Sequence, residues 1–146
     1  ASGVTDTVGT AMTSDVGWSF ATAAAPTTPP TVTATSPVSG AVSVATTAAV
    51  TATFSRAMAV GSFTASTFRL RDAQQTVVAA ALTYDATTQT ARLQPNSALA
   101  AGATYAATIT GGGAGVTDSA GVPLASDATW SFSTGAPATI WPAATR

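Results

Sequence analysis

The chain has no cysteine, histidine, lysine or glutamate. Each absence excludes something. Without cysteine there is no disulfide framework and no thiolate metal site. Without histidine or cysteine, the usual Ser/His/Asp and Cys/His catalytic sets cannot be assembled. Glutamate and lysine are strong helix formers. Their loss, beside abundant Thr, Ser, Val and Gly, points to strands. All acidic side chains are Asp, all basic ones are Arg, and the formal net charge is −1. Such a balance gives no field to steer nucleic acid or an anionic membrane. No apolar run approaches the ~20 residues of a membrane span. No signal-peptide pattern is present, so the numbered chain is expected to be mature or internal.

What is present fits about one domain, at 146 residues. Hydrophobic residues make up 46%, and much of that is alanine, which predicts a thin core of small side chains. A cysteine-free chain is viable in any compartment, but a Thr/Ser/Ala/Gly-rich chain without lysine is common in secreted bacterial repeats, and the expected location is secreted or cell-surface.

The dominant pattern is an internal repeat. Residues 115–134, GVTDSAGVPLASDATWSFST, recur 112 positions earlier as residues 3–22, GVTDTVGTAMTSDVGWSFAT. Eleven of the twenty aligned pairs are identical, including Asp6/Asp118, Gly9/Gly121, Asp15/Asp127, Trp18/Trp130 and Phe20/Phe132. A period of this size is a whole domain, not a solenoid unit. The chain therefore divides into a closing loop and strand of a preceding repeat (1–22), a Pro/Thr/Ala linker (23–30), one complete domain (31–135) and a tail (136–146).

Within the first segment, Asp6 and Gly9 mark a turn, and Gly17–Thr22 reads as a strand with Trp18 and Phe20 on one face. The prolines of residues 23–30 favour an extended, semi-stiff connection. The complete domain opens with a strand at Thr31–Thr35, and Ala41–Val44 continues along the sheet edge. Val50, Ala52 and Phe54 alternate inward. Arg56–Thr64 is a crossing loop in which Met58 and Phe63 plug the core edge. Phe68 and Leu70 point in, as do Val78, Ala80, Leu82 and Tyr84 along a strand over Thr76–Tyr84. After a hairpin turn at Asp85–Thr88, Ala91 and Leu93 follow. Arg69, Arg71 and Arg92 are expected on one solvent face. The spacing Leu99–Gly102–Tyr105 is that of a tyrosine corner, with the phenol bonded back to the corner backbone. Tyr105, Ala107 and Ile109 then face in, Gly111–Gly113 breaks the strand, and Trp130 and Phe132 close the core. About seven short strands separated by turn residues make an all-β antiparallel sandwich.

These pieces carry a family resemblance. Thr35–Gly40, Val50–Ser55 with Met58, Leu82–Asp85, Leu99–Tyr105, Gly115–Asp118 and Trp130–Phe132 occur in order across residues 30–135. Over that span the chain resembles bacterial Ig-like domains of the surface-layer protein type. The resemblance implies an Ig-like antiparallel β-sandwich. It also implies a role as spacer, stalk or accessory module beside adhesive or catalytic domains, with neighbouring Ig-like repeats as partners. Arg56 stands where the family usually carries an acid or another polar residue. The tail Thr139–Pro142 is similar to the opening of a further β-domain.

Chemistry adds little to that reading. A carboxylate pair is the one hydrolytic device left open, from Asp72, Asp85, Asp118 and Asp127. Each sits at a turn, where Asp bonds its own local backbone. Calcium would need clustered oxygen ligands. Asp118 and Asp127 are the candidates, but no DxDxDG run accompanies them, so no cofactor is expected. Gly111–Gly113 lacks a following P-loop lysine, which removes phosphate binding. No enzymatic activity is expected, and neither nucleic acid nor membrane insertion.

Three roles follow. The first is a non-catalytic structural spacer. The second is a self-assembly module, in which the apolar face of residues 3–22, with Trp18 and Phe20, adds a strand to a neighbouring molecule as a swapped dimer or fibre. The third is an accessory glycan- or surface-binding module of an extracellular enzyme, for which Trp141 in the tail is the candidate aromatic.

Overall fold

A computed structural model describes residues 3–24 and 28–138. Eight strands follow in chain order: β1 (Val32–Ser36), β2 (Ala41–Val44), β3 (Val50–Phe54), β4 (Phe68–Asp72), β5 (Ala80–Asp85), β6 (Thr90–Pro95), β7 (Thr104–Ile109) and β8 (Ala128–Thr134). They form two four-stranded sheets, ordered β1-β3-β6-β5 and β2-β8-β7-β4. The two-sheet all-β sandwich expected from the strand pattern is the fold.

Period-two alternation builds the core. Val50, Ala52 and Phe54 of β3 face Phe68, Leu70, Ala107, Ile109, Trp130 and Phe132 of the other sheet, and all are buried. Alanines at Ala52, Ala91 and Ala107 make parts of the core thin, and aromatic rings supply its bulk. Phe68 lies 6.1 Å from Trp130, and Tyr105 lies 5.9 Å from Phe132, between ring centroids. Such contacts contribute roughly 0.5–1.5 kcal/mol each beyond their burial. Met58 is buried in the crossing loop, and Phe63 stacks on Tyr84 at 4.8 Å and meets Phe54 edge-on at 5.6 Å. The loop plugs the core edge as its sequence predicts.

The structure departs from the sequence expectation in four places. First, β2 does not continue the edge of the sheet that holds β1. A turn through Gly40, at φ 80°, carries the chain to the other sheet, where β2 pairs in parallel with β8. Second, Thr76–Tyr84 is not one strand. Residues 76–78 fold back on β4, with Val78 N–H donating to Leu70 at 2.8 Å, and only from Ala80 does the chain pair with β6. Third, Gly17–Thr22 forms no strand, because no neighbouring strand pairs with it among the described residues. Fourth, Arg69 and Arg71 project from β4 and Arg92 from β6. These strands lie in opposite sheets, so the three arginines do not share a face.

Candidate functional site

The repeated element is the feature around which a site can be built. In its second copy, residues 115–134, it is a hairpin followed by β8. Asp118 organises the hairpin. Its Oδ1 accepts from the backbone N–H of Ala120 (2.9 Å) and Val122 (2.8 Å). The N–H of Asp118 donates to Val122, that of Gly121 to Asp118, and that of Leu124 to Val116. Gly121 occupies the left-handed position, at φ 85°.

The first copy makes the same hairpin, bond for bond. Asp6 Oδ1 accepts from Val8 (3.0 Å) and Thr10 (2.9 Å). The N–H of Asp6 donates to Thr10, that of Gly9 to Asp6, and that of Met12 to Val4, with Gly9 at φ 86°. A third example appears at Asp72. Its Oδ1 accepts from Gln74 and Thr76, and Gln75 takes the left-handed position at φ 65°. The hairpin is thus a local product of an Asp and its next four residues. It forms whether or not a sandwich surrounds it.

What differs between the copies is the surroundings. The second copy sits in a socket. Asp118 is 1% exposed, and its Oδ2 accepts from Arg56 Nη1 at 3.3 Å. Ala59 N–H donates to Thr117 and Ser119 N–H donates to Ala57, so the hairpin joins the crossing loop. Tyr84 holds that loop from behind, its phenol accepting from Met58 N–H at 2.8 Å. Further along, Asp127 Oδ1 accepts from Gly111 N–H at 2.8 Å. Thr134 ends the element at the tyrosine corner. Its hydroxyl donates to Ala100 (2.6 Å) and accepts from Ala103 N–H (3.0 Å). The corner itself is as expected, with Ala100 N–H donating to Tyr105 Oη at 2.9 Å. Gly111 and Gly115 stand where a Cβ would overlap the backbone of Ser126 and of Thr110–Gly111, so the break in the strand needs glycine there. Trp130 is 5% and Phe132 1% exposed, and the indole N–H of Trp130 is buried with no hydrogen-bond partner among the described residues. In the first copy Trp18 is 84% and Phe20 83% exposed.

Electrostatics follow the geometry. Burial pushes the Asp118 carboxyl up, but the N–H groups of Val122 and Ala120 and the Arg56 guanidinium outweigh it and hold the group below the usual aspartate value. Asp85, at the surface, is also lowered, first by the backbone N–H of Thr87 and then by Thr88. Asp72, Asp85 and Asp118 each accept from a backbone N–H of their own turn. Asp127 does not: it accepts from Gly111 N–H, 16 residues earlier, and so ties two segments together where a local turn bond was expected. Asp118 and Asp127 share no hydrogen-bond partner. Among the described residues no three His, Cys, Asp or Glu side chains cluster as metal ligands, and no helix is long and apolar enough to cross a membrane. Trp141 lies outside the described residues.

With this geometry in hand, the relatives can be placed. The family model described as a bacterial Ig-like domain matches residues 26–134. The chain belongs to this family. The Ig-like domain is also similar to solved structures. One is the S-layer protein rSbsC(31-844), at 17% identity and a TM-score of 0.54, over 75% of this chain and 14% of that one. Another is domains 1–6 of surface layer protein SbsC, at 17% identity and a TM-score of 0.55, over 75% and 14%. A third is CopC from Methylosinus trichosporium OB3b, at 15% identity and a TM-score of 0.61, over 77% and 99%. Identities this low show the fold alone. No curated protein matches the chain. The present Ig-like domain spans about one seventh of the S-layer chains it matches.

Sequence reasoning found the repeated element, the tyrosine corner and the inward Trp130 and Phe132. It missed the Arg56–Asp118 pair and the Tyr84 latch. The available signal for the first was Arg56 itself, a charged residue opening the crossing loop beside the buried Met58.

Proposed function

We propose that this Ig-like chain is a non-catalytic structural repeat of a secreted or cell-surface bacterial protein, acting as a spacer between modules. The observation that carries the reading is the closing element itself, present twice with one sandwich between. Tandem repetition is what a spacer needs, and the similarity to S-layer structures many times longer supports it. In this reading residues 1–22 close a preceding repeat, 23–30 link, 31–135 form the complete domain and 136–146 lead to a further module.

The site chemistry supports the same reading. Asp72, Asp85 and Asp118 cap turns, and Arg56 pairs with Asp118. In this reading the domain needs no calcium, Asp118 being held by three protein donors, and adding calcium or EDTA should leave the unfolding temperature unchanged. Trp141, the candidate aromatic for a glycan-binding role, lies outside the described residues; the exposed aromatics among the described residues, Trp18 and Phe20, belong to the repeated element.

The test is location. Antibodies raised against residues 31–135 should label intact cells of the source bacterium, and external protease should remove the label. Signal confined to the cytosol would overturn the reading.

A further inference from the structure

The face that the first copy leaves open can be compared, residue by residue, with the face that the second copy buries. In the second copy six residues are buried: Val116, Asp118, Leu124, Trp130, Phe132 and Thr134. Their counterparts are Val4, Asp6, Met12, Trp18, Phe20 and Thr22. Five of the six pairs are identical, and the sixth exchanges Leu for Met, close in volume. Of the fourteen pairs outside this face, only six are identical. The differences thus gather where the element meets solvent, and the face that meets a socket is kept. Because the hairpin is already closed in the first copy, little backbone ordering remains for docking there.

The occupant follows from counting. The described residues hold two closing elements and one socket. If the first copy of one molecule displaced β8 of another, it would expose as much apolar surface as it buried and would lose association entropy besides. Exchange between two copies therefore has no driving force. The first copy needs a socket without a closing element of its own. In the complete domain every socket strand precedes the closing element in the chain. The socket for residues 3–22 accordingly lies on their N-terminal side.

We infer that residues 3–22 are a complete closing element that docks into a preceding Ig-like sandwich of the same polypeptide, one that presents an arginine to Asp6. That sandwich carries the counterpart of Arg56 opposite the Asp6 carboxylate. It also carries a backbone pair equivalent to Ala57 O and Ala59 N–H for Thr7 and Thr5, and an apolar slot for Val4, Met12, Trp18 and Phe20. This rests on the tandem-repeat reading and adds the chemistry of the partner.

The test is a graft in the full chain. Residues 115–134 are replaced by the sequence of residues 3–22, and a second graft restores Leu at the Met12 position. At least one graft should unfold in a single cooperative transition within about 10 °C of the parent. Its grafted tryptophan should be shielded from iodide, whereas Trp18 is not. Arg56→Leu should lower the midpoint of graft and parent alike. Two unfolded grafts would overturn the inference and leave the cell-surface reading standing. A folded graft indifferent to Arg56→Leu would overturn the arginine assignment. The parent should sediment as a monomer at all concentrations; concentration-dependent dimers would overturn the N-terminal socket in favour of exchange between copies.

Discussion

Arg56 Nη1 and Asp118 Oδ2 meet at 3.3 Å, although 62 residues separate them in the chain. The pair pins the closing hairpin to the crossing loop. Asp118→Ala removes the ion pair and both hairpin caps, and should lower sandwich stability by about 2–3 kcal/mol in urea unfolding. Asp6→Ala removes the same caps from an exposed hairpin and should change sandwich unfolding by less than about 0.5 kcal/mol.

The same carboxylate predicts a pH dependence. Its value in the folded state lies below the ordinary aspartate value of 3.8. The unfolded chain therefore takes up the proton at higher pH than the folded chain does. The contribution of Asp118 is present above about pH 4 and is lost as the pH falls further, through the folded-state value. The unfolding midpoint of Asp118→Asn, which lacks a titrating group there, should fall less steeply below pH 4 than that of the parent.

Three hairpins of one design allow a test of backbone strain. Gln75 and Gly121 hold the same left-handed position, at φ 65° and 85°. A side chain there is strained, and glycine is not. Gln75→Gly should stabilise by about 0.5–1 kcal/mol, and Gly121→Gln should destabilise by a similar amount. Thermal melts of the two variants should move in opposite directions.

Two tyrosines act as latches. Tyr105 accepts from Ala100 N–H, and Tyr84 accepts from Met58 N–H. Removing either hydroxyl leaves a partly buried N–H without a partner. Tyr105→Phe and Tyr84→Phe should each cost about 1 kcal/mol. The two sites share no hydrogen-bond partner, so the double variant should cost the sum, measured by denaturant midpoints.

The contrast between these latches marks what could be read in the sequence. The Tyr105 corner is written within seven residues, and the inward Trp130 and Phe132 follow from alternation. The Tyr84 latch spans 26 residues and the Arg56 pair spans 62, so no local pattern records either. Asp72 was legible as a turn residue, but its kinship with the other two hairpins was not, because Gln75 stands where they carry glycine. The sheet change of β2 escaped because an edge strand's neighbour is chosen by the turn before it. For the candidate site, the repeat was legible as a sequence echo. That the two copies share one hairpin, one with a socket and one without, required the hydrogen bonds themselves.

The parallel pairing of β2 with β8 has a mechanical consequence. The chain enters this sheet at Ala41 and leaves it at Thr134, and the two strands run side by side in the same direction. Tension that draws the chain's two directions apart loads β1 against β3 first; once β1 yields, it pulls β2 back along its own axis and β8 forward along the same axis. The bonds flanking that pair, Gly40 N–H to Ser131 and Val44 to Gly135 N–H, then carry the load together in shear, instead of opening one after another as a zipper would.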